Sequence, residues 1–299
     1  MTSFIRLALL VLAGVTLAAC DDDTPVDGGQ PGQTLDLSLE VDGTTRSYRL
    51  FVPGPADTVS TPSPLVIAFH DAQGSGIGLQ AQTAFDEFAD RLVFFVAYPN
   101  SLEEDWAEGC DCSAADQAGV NDTGFVRALI QDISADFDID TNRVYAVGVS
   151  QGGLFTWRLA CELTEEFAAI TSVIAPMSVP LSASCAPSVP IAVLGIQGTE
   201  DNVYPYEGGG EAPFDVLGAE ATIEFWATAN NCPDTAVVRR PPDLHDDGTF
   251  VTVNRYTPCD AGTESILLSV LGGVHEYGIS AEFSTTLTII GFLLEHRRR

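Results

Sequence analysis

Five apolar runs, beginning at Leu65, Leu92, Val144, Ile191 and Ser265, alternate along the chain with stretches of helical character at 78–90, 122–137, 154–163, 218–230 and 281–295. Strands that alternate with helices run parallel, because each crossover has to accommodate a helix, and the helices then cover both faces of the sheet. The pattern predicts an α/β fold with a mostly parallel central sheet and with its functional loops gathered at the carboxyl ends of the strands. Two further strands, 35–41 and 46–53, precede the alternation and read as an antiparallel edge. No insertion is long enough for a large helical lid. The segments 98–120 and 204–216 are therefore expected to shape any cleft, with Trp106, Tyr204 and Tyr206 as candidate rim aromatics.

Inside this alternation, Gly148-Val149-Ser150-Gln151-Gly152 falls where the run 143–149 ends and a helix begins. A strand-to-helix turn strains the serine backbone and lifts its hydroxyl above the sheet, and the flanking glycines let strand and helix approach closely, so Ser150 is a candidate nucleophile. A serine needs a base. All 13 basic residues are arginine, which removes every lysine-dependent mechanism and leaves His70, His245, His275 and His296. His245 lies in the polar loop Pro-Asp-Leu-His-Asp-Asp-Gly, and His296 in the Glu-His-Arg-Arg-Arg tail, where it is expected to be exposed and mobile. His70 closes the run 65–69 at a turn better suited to offering backbone N–H groups. The chain order serine, acid, histidine is met by His275 and, less well, by the other two downstream histidines. Asp201 heads the turn after the run 190–195 and is the first candidate for the acid, with Glu200 as its neighbour alternative. An oxyanion formed at Ser150 would take the backbone N–H of Gln151 and one from the turn after the third strand, Ala72 first and Asp71 second.

The segments 64–75, 109–125, 143–162, 198–206 and 272–278 resemble the polyhydroxybutyrate-depolymerase and feruloyl-esterase-like group of secreted α/β-hydrolases. The motifs that carry the resemblance are His70-Asp71-Ala72-Gln73-Gly74, Asn121-Asp122-Thr123-Gly124-Phe125, and Gly198-Thr199-Glu200-Asp201 followed by Pro205-Tyr206. In order and without large gaps, it covers residues 35–295. It implies an α/β-hydrolase fold, a serine esterase working through an acyl-enzyme, Ser150, Asp201 and His275 as the triad, and no cofactor. The substrates it implies are feruloyl or acetyl esters of plant polysaccharide, or short hydroxyalkanoate esters. The chain departs from the family at Asp71, where glycine is usual, and at Tyr277, where a tryptophan-proline pair commonly follows the histidine. A catalytically idle binding lipoprotein and a serine peptidase of related fold are the competing readings.

The first 19 residues read as a signal peptide, with a short positive region up to Arg6 and an apolar run too short to span a membrane as a mature helix. Leu17-Ala18-Ala19-Cys20 resembles a bacterial lipobox, which implies acylation of Cys20 and membrane anchoring of an exported, periplasmic or cell-surface lipoprotein. Residues 20–33 form an acidic tether, and 34–299 the catalytic domain. The formal net charge of −29 disfavours nucleic acid or anionic lipid as partners of the folded body. Setting Cys20 aside leaves six cysteines, an even number suited to three disulfides in an exported chain. The family resemblance favours Cys232 with Cys259. Proximity of their elements makes Cys161 with Cys185 plausible, and Cys110 with Cys112 then pair by remainder. Cys-Asp-Cys lacks a second ligand pair at zinc spacing.

Overall fold

The computed structural model describes residues 31–54 and 61–299; Cys20 and most of the tether lie outside them. Ten strands form one sheet. The antiparallel edge is β1 (Gln33–Val41) and β2 (Thr44–Val52), joined through Asp42-Gly43, both at positive φ (51° and 78°), the turn that matches strand twist in a two-residue hairpin. The parallel centre consists of β3 (Ser63–Phe69), β4 (Phe95–Pro99), β5 (Ile139–Val149), β6 (Ala169–Val173), β7 (Ala192–Gly198) and β10 (Ser265–Leu271). An antiparallel pair, β8 (Val237–Arg239) and β9 (Phe250–Tyr256), closes the far edge. The spatial order is β1-β2-β4-β3-β5-β6-β7-β10-β9-β8.

Alternate residues of the central strands feed two cores. Leu65, Ile67 and Phe69 of β3 and Val144 and Ala146 of β5 meet α4 (Asp122–Asp136), α5 (Gln151–Glu162) and α7 (Ala219–Ala229) through Phe125, Phe155 and Trp226. Val66, Ala68, Tyr145 and Val147 face the other way, onto α1 (Gly76–Thr83), α2 (Phe85–Leu92) and α8 (Thr285–Leu294). Two shorter helices, α3 (Ala114–Gln117) and α6 (Val179–Ser184), sit in the connections.

Several sequence expectations are corrected. The run at Leu92 is the last turn of α2, and the strand starts only at Phe95, after Val93 turns the chain at φ 55°. The helix expected over 78–90 is two helices, broken at Ala84 (φ 50°). The last helix starts at Thr285, capped by the Ser284 side chain, not at Ala281. β6, β8 and β9 were not anticipated. The C-terminal tail is packed: Tyr145 Oη donates to His296 O (2.7 Å), His296 Nε2 lies 3.4 Å from Glu264, and Arg298 N–H donates to Asn142 O (2.9 Å). His296 is thus held at the opposite end of the sheet from Ser150.

Candidate active site

Ser150 follows β5 with φ 55° and ψ −121°, a conformation few non-glycine residues adopt, and it heads α5. The turn survives because its neighbours are glycine. A Cβ at Gly148 would strike the Gly152 carbonyl, and one at Gly152 would strike the carbonyl oxygens of Phe69 and His70. Ser150 Oγ lies 2.9 Å from His275 Nε2, and His275 Nδ1 lies 2.8 Å from Asp201 Oδ2. The structure therefore brings together three residues 125 and 74 positions apart in sequence. The acid and base turns are joined to each other. Gly272 N–H donates to Thr199 Oγ1 (3.0 Å) and Glu200 N–H to Gly273 O (2.9 Å), while a Cβ at Gly198 would strike Gly273. Glu200, the alternative acid, is exposed and uses its backbone for this joint.

Asp201 is buried. Burial alone would raise its carboxyl, but the hydrogen bond to His275 and the N–H groups of Tyr204 and Val203, with the His275 charge, outweigh it and hold the carboxyl below its ordinary value. The carboxylate is thus charged and fixed on both oxygens, suited to orienting an imidazole. The Tyr204 and His275 rings pack edge to face, with their centroids 5.6 Å apart.

The other histidines have different work. His70 is buried, which pushes its pKa below the usual value. Its Nε2 accepts the Ser101 N–H (3.2 Å), so the proton sits on Nδ1 and is donated to Asp71 O (2.7 Å). Both ring nitrogens are engaged, and no base remains. His245 is exposed, its backbone N–H bound to Glu282.

Sequence reasoning missed how residues 100–113, which contain no helix or strand, are organised. Trp106 is fully buried, a core residue and not a rim aromatic. Its Nε1–H donates to His70 O (3.0 Å), and its backbone N–H and O are both held by the Gln151 side-chain amide (2.9 and 2.7 Å). Trp106 thereby braces the turn after β3 against the start of α5. Three aspartates cap the rest: Asp105 takes the Ala114 and Ala115 N–H groups, Asp116 those of Gly109 and Cys110, and Asp122 that of Ala107. Asp122 is also paired with the equally buried Arg46 at 2.6 Å. The only sequence signal was Asn121-Asp122 opening a helix. Tyr206 bonds Ser269 Oγ (2.7 Å) and spans towards Glu220.

Ala72 and Asp71 lie exposed on the turn after β3. Their N–H groups, and that of Gln151, take no acceptor among the described residues. The Asp71 carboxylate lies beside Gly74, the residue at which a Cβ would meet it. All six cysteines are paired: Cys110–Cys112, Cys161–Cys185 and Cys232–Cys259. Cys110 and Cys112 sit with Glu108, but their sulfurs are bonded to each other and supply no thiolate ligands.

Glu108 is buried next to Gln151 (3.5 Å). Burial first, then the charges of Asp116 and Asp105, push its carboxyl up to about 8, against the opposing Gln151 amide. A carboxyl whose folded value exceeds its unfolded value of 4.5 lends stability that is complete below pH 4.5 and lost as pH rises through 8. Glu108→Gln is therefore expected to match wild type at pH 4.5 and to exceed it by a few kcal/mol at pH 9, where ionised Glu108 is penalised by about 1.4 kcal/mol per pH unit crossed. Urea unfolding at both pH values measures this, and an equal difference at the two would refute it.

The family model described as esterase PHB depolymerase matches residues 46–182, which include Ser150 but end before Asp201 and His275. The chain is 30% identical over 210 residues to the "Probable feruloyl esterase C" of Aspergillus terreus, covering 68% of this chain and 72% of that one. It belongs to the polyhydroxybutyrate-depolymerase and feruloyl-esterase-like family. The "Feruloyl esterase B" of Piromyces equi is 28% identical over 231 residues, spanning 72% of this chain and 40% of that longer protein. Among solved structures, an acetyl xylan esterase from Aspergillus awamori superposes with a TM-score of 0.60 at 15% identity, over 87% of this chain and 99% of that one, a likeness of fold. The chain is an α/β-hydrolase and, as a member of this esterase family, a carboxylic ester hydrolase.

Proposed function

We propose that the protein is a serine esterase in which Ser150 attacks the ester carbonyl while His275 Nε2 takes the hydroxyl proton. The observation that carries this reading is the unbroken chain Ser150 Oγ, His275 Nε2, His275 Nδ1, Asp201 Oδ2, with links of 2.9 and 2.8 Å. Asp201 holds the Nδ1–H tautomer, leaving Nε2 free to accept. The developing oxyanion takes the N–H of Gln151, reinforced by the positive end of α5, and a second N–H from Ala72 or Asp71. His275 then protonates the leaving alcohol, and water, activated by the same imidazole, releases the acid from Ser150. A fluorophosphonate probe tests this directly. Wild type takes the label at Ser150; a folded wild type that stays unlabelled would favour the idle binding protein instead.

The substrates proposed are small soluble esters with short or aromatic acyl groups, or hydroxyalkanoate oligomers. Leu154, Ala175 and Val216 form a small apolar cluster with Tyr204, the residue that flanks His275. With these apolar side chains already buried against one another, little is gained from each further acyl methylene, worth at most about 0.8 kcal/mol when fully buried. In a series of p-nitrophenyl esters, kcat/KM is expected to peak at acyl chains of about two to four carbons, since one methylene discriminates only weakly. A rising preference for long chains would contradict this, and a strong preference for methyl ferulate would narrow the assignment to feruloyl esters.

The signal and lipobox reading places the enzyme on a tether at a membrane outside the cytoplasm. Cys20→Ser should move the protein from the membrane to the soluble fraction with turnover of soluble esters unchanged; fractionation without any shift would refute acylation there.

A further inference from the structure

Behind the acid of the site lies a side chain that the serine mechanism does not mention. Gln197, on β7 and buried, turns its amide nitrogen to two acceptors: Asp201 Oδ2 at 2.8 Å and the Tyr204 carbonyl at 2.9 Å. Both partners are acceptors, so the amide orientation is settled by them. Asp201 Oδ1 in turn accepts the N–H groups of Val203 (2.8 Å) and Tyr204 (2.9 Å). On Oδ2, the oxygen that faces His275, Gln197 is the second donor beside the imidazole. One amide thus closes a ring through Asp201 and Tyr204, the residue whose side chain borders the His275 ring.

The other end of this amide is not satisfied. Gln197 Oε1 is buried with no hydrogen-bond partner among the described residues, in a residue that lines a small hollow with Trp157, Ala175 and Ile223. A buried carbonyl without a donor destabilises a fold, and an apolar side chain of equal length would avoid that cost. The orphaned carbonyl offsets part of what the two N–H bonds contribute to stability, so what distinguishes glutamine here is the aim of its N–H groups at the acid and at Tyr204.

We propose that Gln197 is a positioning residue of the hydrolytic site: its amide fixes the Asp201 carboxylate against His275 and holds Tyr204 at the edge of the imidazole. The inference rests on the serine-esterase reading. Removing the amide frees Oδ2 of a competing donor and concentrates its charge on the imidazole, which makes the imidazole harder to deprotonate. It also loosens the geometry the base needs.

The test compares wild type, Gln197→Met and Gln197→Glu with p-nitrophenyl acetate between pH 5 and 9, alongside Tm and fluorophosphonate labelling. Gln197→Met keeps the volume and removes both donors and the orphaned carbonyl. It is expected to lower kcat about 10- to 100-fold, as loss of an orienting partner does, with KM within about twofold. The low-pH limb of kcat/KM should move to higher pH, with Tm held or modestly lowered, since loss of the two N–H bonds is offset in part by loss of the orphaned carbonyl. Gln197→Glu, nearly isosteric, adds negative charge beside Asp201 and should move that limb further upward by about one pH unit. If Gln197→Met does not fold, Gln197→Glu alone decides. Lower Tm in either variant with kcat and the pH limb of wild type would overturn the proposal and leave Gln197 a structural residue. A wild type that is itself unlabelled and inactive is a different result, and it removes the serine reading and this inference together.

Discussion

Replacing Ser150 with alanine is expected to abolish ester hydrolysis in a protein that folds as before, with kcat reduced at least about 10³-fold and fluorophosphonate labelling lost. Alanine removes only Oγ, the atom 2.9 Å from His275 Nε2. The backbone at φ 55° is set by glycines at 148 and 152, which stay in place, so Cβ keeps its position and the turn keeps its shape. The oxyanion donors proposed here are backbone groups, and they also survive. Any residual rate then measures what binding and the oxyanion site achieve without the nucleophile. Circular dichroism and Tm close to wild type, with the activity gone, would place Ser150 in the chemistry. Substantial turnover by the folded variant would remove it from that role.

Ser150 was legible because the turn announces itself locally: an apolar strand, glycines two residues either side, and a helix. His275 was reached by counting, since the chain has no lysine and only four histidines. The parallel centre of the sheet was legible for the same local reason, in β3, β5, β7 and β10. The misses were of a different kind. β6 is a five-residue strand, Ala-Ile-Thr-Ser-Val, too short and too polar to stand out from its surroundings. β9 carries alternate polar residues because it lies near the sheet edge, so it lacks the continuous apolar run that marks the buried strands. Trp106 looked like a rim aromatic because it sits in a loop, and only the fold shows its ring stacked on Phe155 and edge-on to Phe69. Gln197 could not have been singled out from a strand at all; its meaning depends on Asp201, four residues on, turning back beneath it. Glutamine at 151 posed the same difficulty, because a side chain that clamps a distant backbone leaves no periodic trace.

That dependence on turned-back geometry makes the acid the more discriminating target. Asp201→Asn preserves size and burial, yet the site dictates how the amide must sit. The N–H groups of Val203 and Tyr204 both point at the Oδ1 position and require an oxygen there. The amide nitrogen is then forced into the Oδ2 position, where it meets His275 Nδ1 at about the 2.8 Å now spanned by the carboxylate, with the Gln197 nitrogen also against it. A donor at that point binds the unprotonated form of Nδ1, so the ring proton moves to Nε2, and Nε2 can no longer accept the proton of Ser150. Asp201→Asn is accordingly expected to lower kcat about 10³- to 10⁴-fold with little change in KM, and His275→Ala by a similar factor, because both remove the same accepting nitrogen. Combining the two should cost little more than either alone. His245→Ala, altering an exposed ring, serves as the control and should change kcat less than twofold, about the scatter of a surface substitution. Steady-state kinetics on the four proteins decide the assignment. Near-normal turnover in Asp201→Asn or His275→Ala, or a large loss in His245→Ala, would place the base elsewhere.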